Sequence, residues 1–155
     1  MDQVLDVAAF LEARQQPLLE EAEERIRRAH LAHYEAAGAE TTELRLWDLF
    51  DVVVTACRDH RLEAAVSYAD SLAAERHSGG YPLSEVQTVI NVLEETVWRS
   101  ITSEVPADLQ GYALGLVSTA LGAVKDALAQ GYLAHIGSHP VRSLRVESLF
   151  SGTEG

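Results

Sequence analysis

Histidines are the side chains of this sequence whose type and spacing are best suited to binding a metal ion. His30 and His33 lie three residues apart in a stretch with helical spacing, Glu35 is close by, and His60 or His77 could supply a third ligand through the fold. A di-iron carboxylate centre would need Glu-x-x-His pairs, and no glutamate precedes a histidine at that interval. The pattern favours surface histidines on an acidic helix.

Nucleophilic and acid–base catalysis has no arranged set of residues in the sequence. The single cysteine, Cys57, follows the apolar run 52–56, which predicts a small buried side chain. Serines and carboxylates are spread along polar faces, without a pair placed for general acid–base work. We therefore expect a protein that is not an enzyme and has no cofactor.

Charge and composition limit the kinds of partner. The chain has 155 residues, 47% of them apolar, which is enough for one domain with a core. Its 24 acidic and 12 basic side chains give a net charge of -12, which repels phosphate backbones and anionic lipids. We expect neither nucleic acid nor a membrane as partner. The start of the chain lacks a basic region and an apolar signal core, which predicts a cytoplasmic protein.

Apolar spacing predicts helices along the whole chain and no strands. Two helices, or one kinked helix, are expected over about 3–15 and 17–37, with Pro17 at the restart. After Gly38, a helix is expected to enter at Thr41 and to break near Asp59-His60. The core positions predicted for it are Leu46, Leu49, Phe50, Val53 and Cys57.

A glycine stop at 78–80 separates the next two helices. The core positions predicted for the helix before it are Leu62, Val66, Ala69, Leu72 and Ala73. A capping box of Ser84 and Gln87 is expected to start the helix after it, which runs to about Ser103 and is followed by an interruption at Pro106. Its predicted core positions are Val86, Ile90, Leu93, Val97 and Ile101, with Trp98 widening the stripe.

Small residues recur along the last and longest helix, expected over about 107–135. Gly111, Gly115, Ser118 and Gly122 share one stripe, although each interior glycine costs a helix about 1 kcal/mol relative to alanine. Small residues let another helix approach closely, so the stripe packs either against its own core or against a second subunit of a homodimer. Charged and polar residues from Lys125 onward argue against a membrane span.

The stretch 72–86, LAAERHSGGYPLSEV, together with 92–98, VLEETVW, resembles the amino-terminal sensory domain of stressosome co-antagonists of the RsbR and RsbRD type. Shared elements are an acidic–arginine helix end, a glycine, an apolar pair and an aliphatic–Trp step, and the similarity covers about 5–132. The resemblance implies a globin-like or related bundle of about five to six helices. Such domains are usually dimeric and without cofactor, and they sense or scaffold upstream of a phosphorylatable output domain. This chain has no room for that output domain, so we expect a stand-alone sensory-type domain over 1–136.

Haem-binding sensor globins resemble the same region. In them a proximal histidine lies a few residues before the glycine that opens the next long helix. Here Arg76 occupies that spacing and His77 lies one residue beyond it, a rotation of about 100° on a helix. The resemblance makes haem at His77 the alternative to a protein without cofactor.

The segment 137–155 is predicted to be a flexible tail. Glycine, serine and proline at 137–140 stop the last helix. The apolar-spaced stretch 143–150 then indicates a docking peptide, which either engages another molecule or folds back onto its own body.

Within that tail, Leu144, Val146, Ser148 and Leu149 are similar to the cargo-loading peptides that direct proteins into encapsulin shells, which commonly read Leu-x-Ile/Val-Gly-Ser-Leu. Glu147 stands where those peptides usually have glycine. The resemblance implies a cargo protein inside an encapsulin compartment, with a haem or metal ion as a further possibility. Two functions therefore remain open, a dimeric sensor or adaptor that docks a protein partner through its tail, and an encapsulin cargo.

Overall fold

The computed structural model describes residues 5–138, and over that range the chain forms seven α-helices and no strand. The prediction of an all-α protein is confirmed, with more helices than the five to six expected. The helices are α1 (Val7–Ala13), α2 (Gln15–Ala29), α3 (Ala32–Ala37), α4 (Ala39–Asp59), α5 (Glu63–Ser78), α6 (Leu83–Glu104) and α7 (Ala107–Ser138).

Three helices stand where the sequence predicted two. The side chain of Asp6 accepts a hydrogen bond from Ala9 N at 3.0 Å and caps α1. Pro17 is the third residue of α2, in the first turn, where its missing N–H is not needed. His30 ends α2 because its backbone is left-handed, with φ 51°. This break separates α3 from α2 inside the stretch 17–37.

The predicted entry of the next helix at Thr41 is wrong by two residues. α4 begins at Ala39 because Gly38, with φ 94°, already turns the chain into the helix. The end of α4 is confirmed: His60 takes a left-handed conformation, with φ 53°, directly after Asp59.

The predicted capping box at the start of α6 is also wrong. α6 begins at Leu83, Pro82 is its N-cap residue, and no side chain caps the helix. The extended backbone of Pro82 starts the helix early enough that Ser84 lies inside the first turn. The glycine stop before it is confirmed, since α5 ends at Ser78 and Gly80 has φ 79°.

α4 and α6 supply the core stripes that their spacing predicted. Every predicted core position of these two helices is buried: Leu46, Leu49, Phe50, Val53 and Cys57 in α4, and Val86, Ile90, Leu93, Val97 and Ile101 in α6. Trp98, expected to widen the second stripe, is exposed.

The predicted core face of α5 is confirmed in part. Ala69, Leu72 and Ala73 are buried as predicted, whereas Leu62 and Val66 are exposed, because α5 begins only at Glu63 and its buried stripe starts at Ala65. The buried positions of α5 are Ala65, Ala69, Leu72, Ala73 and Arg76. Three of these are alanines, so the α5 backbone lies close against α7, its main neighbour.

α7 spans the bundle and packs one side into the core. Its buried residues are Ala113, Val117, Ala120, Leu121, Val124, Ala127, Leu128 and Tyr132. Among the described residues, it is the one helix long and apolar enough to cross a membrane by length and composition. The same apolar character is typical of the core helix of a bundle.

Candidate functional site

The small residues of α7 face away from the core. A Cβ added at Gly111, Gly115 or Gly122 would meet no atom within 4 Å outside its own turns of α7. Ser118 lies among them and its Oγ accepts a hydrogen bond from Trp98 Nε1 at 3.1 Å. The intrachain alternative, in which these glycines pack against their own core, is therefore not what the structure shows.

Exposed apolar side chains surround these small residues. Trp98 and Tyr112 stand on either side of them, and Leu133 and Ile136 continue the same side of α7 toward its end. Positions 109–124 contain no acidic or basic residue. We call the surface formed by Gly111, Gly115, Ser118, Gly122, Leu133 and Ile136 the α7 outer face.

A groove of about 420 Å³ opens at one end of the α7 outer face. Gly111, Gly115 and Tyr112 line it from α7, and the turn at His60–Leu62 lines it from the other side. The missing side chains of the two glycines give the groove its depth. Trp98 and this groove thus border the same uncharged surface.

The close helix contact that glycine makes possible lies elsewhere on α7. A Cβ at Gly131 would stand 2.5 Å from the Cβ of Ala73 on α5. The sequence analysis did not identify Gly131, because it lies outside the four-residue spacing of the stripe. The signal that could have identified it is the row of alanines at 65, 69 and 73, which marks the helix face that α7 approaches.

A buried arginine lies at the end of α5. Arg76 is 4% exposed, and its Nη1 donates a hydrogen bond to the carboxylate of Glu75. Its Nε has no hydrogen-bond partner in the part of the chain that the structure describes. The guanidinium carbon lies 5.6 Å from the centre of the Tyr81 ring. The sequence singled out this position only through resemblances, as part of the acidic–arginine helix end and as the residue at the haem-ligand spacing.

Tyr81 connects this arginine to three other elements. Arg45 Nη1 donates to Tyr81 Oη at 2.9 Å, and Tyr132 Oη donates to the Tyr81 carbonyl at 2.9 Å. The Tyr81 hydroxyl donates to the His33 carbonyl at 3.4 Å. Tyr34 packs edge-on against the Tyr81 ring at 5.2 Å. The linker after α5 is therefore fixed to α3, α4 and α7.

Burial governs the ionisation of this cluster. Burial raises the pKa of Tyr34 and Tyr68, and it raises the pKa of Tyr132 to about 12. Burial lowers the pKa of Arg76, but its interactions with Tyr34 and Glu75 outweigh that effect and leave the pKa raised. The cluster therefore holds two permanent cations, Arg76 and Arg45, among neutral phenols.

The residues around His77 do not fit haem. Arg76 holds the core-facing position of this turn, and an arginine is not a haem ligand. His77 lies half-buried beside it, stacked on the His135 ring at 5.2 Å and edge-on to Tyr132 at 5.5 Å. The Tyr81 ring lies beside Arg76, with its centre 5.6 Å from the guanidinium carbon.

The histidines considered as metal ligands are separated by the fold. His30 Nδ1 pairs with Glu35 Oε1 at 2.8 Å, and His33 Nδ1 pairs with Glu85 Oε2 at 2.9 Å. Over residues 5–138, no three histidine, cysteine, aspartate or glutamate side chains are grouped to hold a metal ion. Cys57 is buried as predicted, and burial raises the pKa of its thiol to about 11.

The tail residues Leu144, Val146, Ser148 and Leu149 lie outside the described residues. Comparison of the chain with protein-family models, with curated proteins and with solved structures finds no match. The resemblances to stressosome sensory domains and to cargo-loading peptides therefore stay predictions.

Proposed function

We propose that this protein is a non-enzymatic helical sensor or adaptor that works as a homodimer joined at the α7 outer face. The observation that carries the proposal is the open space at Gly111, Gly115 and Gly122. Each glycine costs the helix about 1 kcal/mol relative to alanine, and no atom of the described chain outside the glycine's own turns of α7 contacts the place where a Cβ would stand. A second helix packed at short distance would offset that cost.

Charge supports a second copy at this surface. Two chains with a net charge of -12 repel each other over most of their surfaces. The α7 outer face is uncharged from 109 to 124, and beyond it Lys125 Nζ is already engaged by Asn91 Oδ1 at 3.2 Å and Glu94 Oε1 at 3.3 Å. Contact over the stretch 109–124 therefore brings no like charges together, and the exposed acidic residue Asp126 follows only after it.

The test is the mass of the full chain in solution. We expect the wild-type chain to be dimeric and Gly115→Leu to be monomeric with unchanged helical circular dichroism. Ala9→Leu, which introduces the same side chain at an exposed position of α1, should leave the dimer intact. A wild-type chain that is monomeric at every accessible concentration, or a Gly115→Leu variant that stays dimeric, would contradict the proposal.

The partner of the dimer is proposed to bind the peptide 143–150. The sequence of this peptide also supports a second candidate, encapsulin cargo, because Leu144, Val146, Ser148 and Leu149 match the loading pattern. Co-expression with an encapsulin shell protein distinguishes the two. If the chain is a cargo, it should co-purify with the shell, and deletion of 141–155 should abolish the co-purification. The Glu147→Gly variant should bind the shell more tightly than wild type, and the Arg145→Ala variant should bind it as wild type does. A chain that never co-purifies leaves the sensor or adaptor function as the proposal.

A further inference from the structure

A cavity of about 230 Å³ lies between α2, α3 and α4, away from the α7 outer face. His30 and Gly38, whose φ angles are positive, separate α3 from α2 and from α4. α3 forms one wall of the cavity. Ile26, Leu31 and Tyr34 give the cavity an apolar lining. An engineered apolar cavity of about 150 Å³ is large enough for benzene, so this one has room for a single ring with a short side chain.

A threonine hydroxyl lines the cavity. Thr42 is 7% exposed as a residue, lines the cavity from α4, and makes no side-chain hydrogen bond to the described part of the chain. Over residues 5–138, Arg76 Nε is the side-chain atom that is both buried and without a partner, so the Thr42 hydroxyl is open to the space inside the cavity. Thr42 therefore offers a hydrogen bond to a molecule that enters.

The charge at the cavity is an unpaired carboxylate. Of the ionisable residues that line it, Arg27 is paired with Glu24 and Glu35 is paired with His30. Glu23 forms no ion pair or hydrogen bond within residues 5–138, and it also lines a neighbouring depression together with Glu20 and Glu43. The charges of Glu43 and Glu20 each act on Glu23 more strongly than the charge of Arg27 does, so a cation placed at Glu23 is attracted and an anion is repelled.

We infer that this cavity binds a small organic ammonium ion, with its apolar body against Ile26, Leu31 and Tyr34 and its charged nitrogen at Glu23. Apolar walls supply most of the contact area, and the two polar groups fix orientation. Burial and the charges of Glu43 and Glu20 raise the pKa of Glu23, so an ammonium ion would also relieve an existing repulsion. The inference concerns a site separate from the dimer and holds whether or not the chain dimerises.

The probe is 2-phenylethylammonium, titrated into the full chain by calorimetry, with 2-phenylethanol and phenylacetate as neutral and anionic matches. We expect the ammonium ion to bind about tenfold more tightly than the alcohol, which corresponds to about 1.4 kcal/mol, and phenylacetate to bind least. Glu23→Gln should remove that preference, and Thr42→Val should weaken binding without removing the preference. Asp51→Asn removes an exposed charge elsewhere on α4 and should change neither.

A filled cavity supplies the remaining test. Ala39 is exposed at the rim, so Ala39→Phe can reach into the cavity while the fold is kept, as circular dichroism would check. Binding should be lost in this variant. The inference is overturned if the folded wild-type chain binds none of the three probes, if the alcohol binds as tightly as the ammonium ion, or if Ala39→Phe binds as well as wild type.

Discussion

Gly131 on α7 packs directly against Ala73 on α5. A Cβ on residue 131 would stand 2.5 Å from the Cβ of Ala73, a separation that real Cβ atoms do not show. The glycine is thus required by the packing of two helices, in contrast to the glycines of the α7 outer face. The same helix therefore contains glycines of two kinds, and substitution should distinguish them.

The first prediction compares Gly131→Ala with Gly115→Ala. Gly131→Ala should lower the free energy of unfolding by about 2 kcal/mol, because the helices must separate to admit the methyl group. At Gly115 an alanine meets no atom within 4 Å outside its own turns of α7, so it should raise the stability of the monomer by up to about 1 kcal/mol. Urea unfolding at protein concentrations low enough for the chain to be monomeric checks both.

A swap of the two residues provides the control. Ala73→Gly combined with Gly131→Ala restores the space while keeping one alanine and one glycine at the contact. The double variant should be more stable than the sum of the two single changes predicts, because neighbouring substitutions are not additive. If the two effects simply add, the contact does not limit the helix approach.

Sequence patterns predicted the parts of this fold that depend on local periodicity. The stripes of α4 and α6, the break at Asp59-His60 and the stop at Gly80 follow from helix geometry and from left-handed backbone, which one segment decides alone. The face that α5 buries was predicted only in part. Ala69, Leu72 and Ala73 were predicted correctly, but Ala65 and Arg76 were not, because they are core residues only through the elements that pack against them.

The candidate site also has features that local sequence patterns predict and features that only the packing of the helices decides. Helical spacing placed Gly111, Gly115, Ser118 and Gly122 on one stripe, but only the packing of the bundle decides that the stripe faces outward. The Arg76 cluster joins α3, α4, α5 and α7, and no local pattern brings those residues together. The cavity at Thr42 depends on the break at His30. Left-handed backbone is uncommon for a residue other than glycine, so the sequence does not predict this break.

The second prediction concerns an exposed carboxylate with a buried partner. Glu75 is 69% exposed, but the Arg76 side chain that it neutralises is 5% exposed. Glu75→Gln should lower the free energy of unfolding by about 2 kcal/mol, because it leaves a buried cation without its anion. Glu63→Gln in the same helix, whose partner Arg61 is itself exposed, should leave stability nearly unchanged. Equal effects of the two changes would contradict this account.

The third prediction uses the hydroxyl of Tyr132. Tyr132→Phe removes the hydrogen bond to the Tyr81 carbonyl and should cost about 1 kcal/mol. Because the folded pKa is raised to about 12 from 10.0, the neutral phenol stabilises the fold fully below pH 10, and this stability is lost as pH rises toward 12. Denaturant unfolding between pH 9 and 12 should therefore show a shallower decline for Tyr132→Phe than for wild type. Equal declines in the free energy of unfolding for the variant and for wild type would contradict this prediction.

The fourth prediction is that Cys57 reacts with a thiol reagent only when the chain opens. The residue is buried in α4, and burial raises the pKa of its thiol to about 11, so the native state offers neither access nor thiolate. Labelling by a disulfide reagent should be slow in buffer and immediate in denaturant. Its rate should follow the population of open molecules, so Gly131→Ala should label faster by about tenfold for each 1.4 kcal/mol of lost stability. Rapid labelling of the folded wild-type chain, at a rate that Gly131→Ala does not change, would mean that the α4 core is accessible without opening.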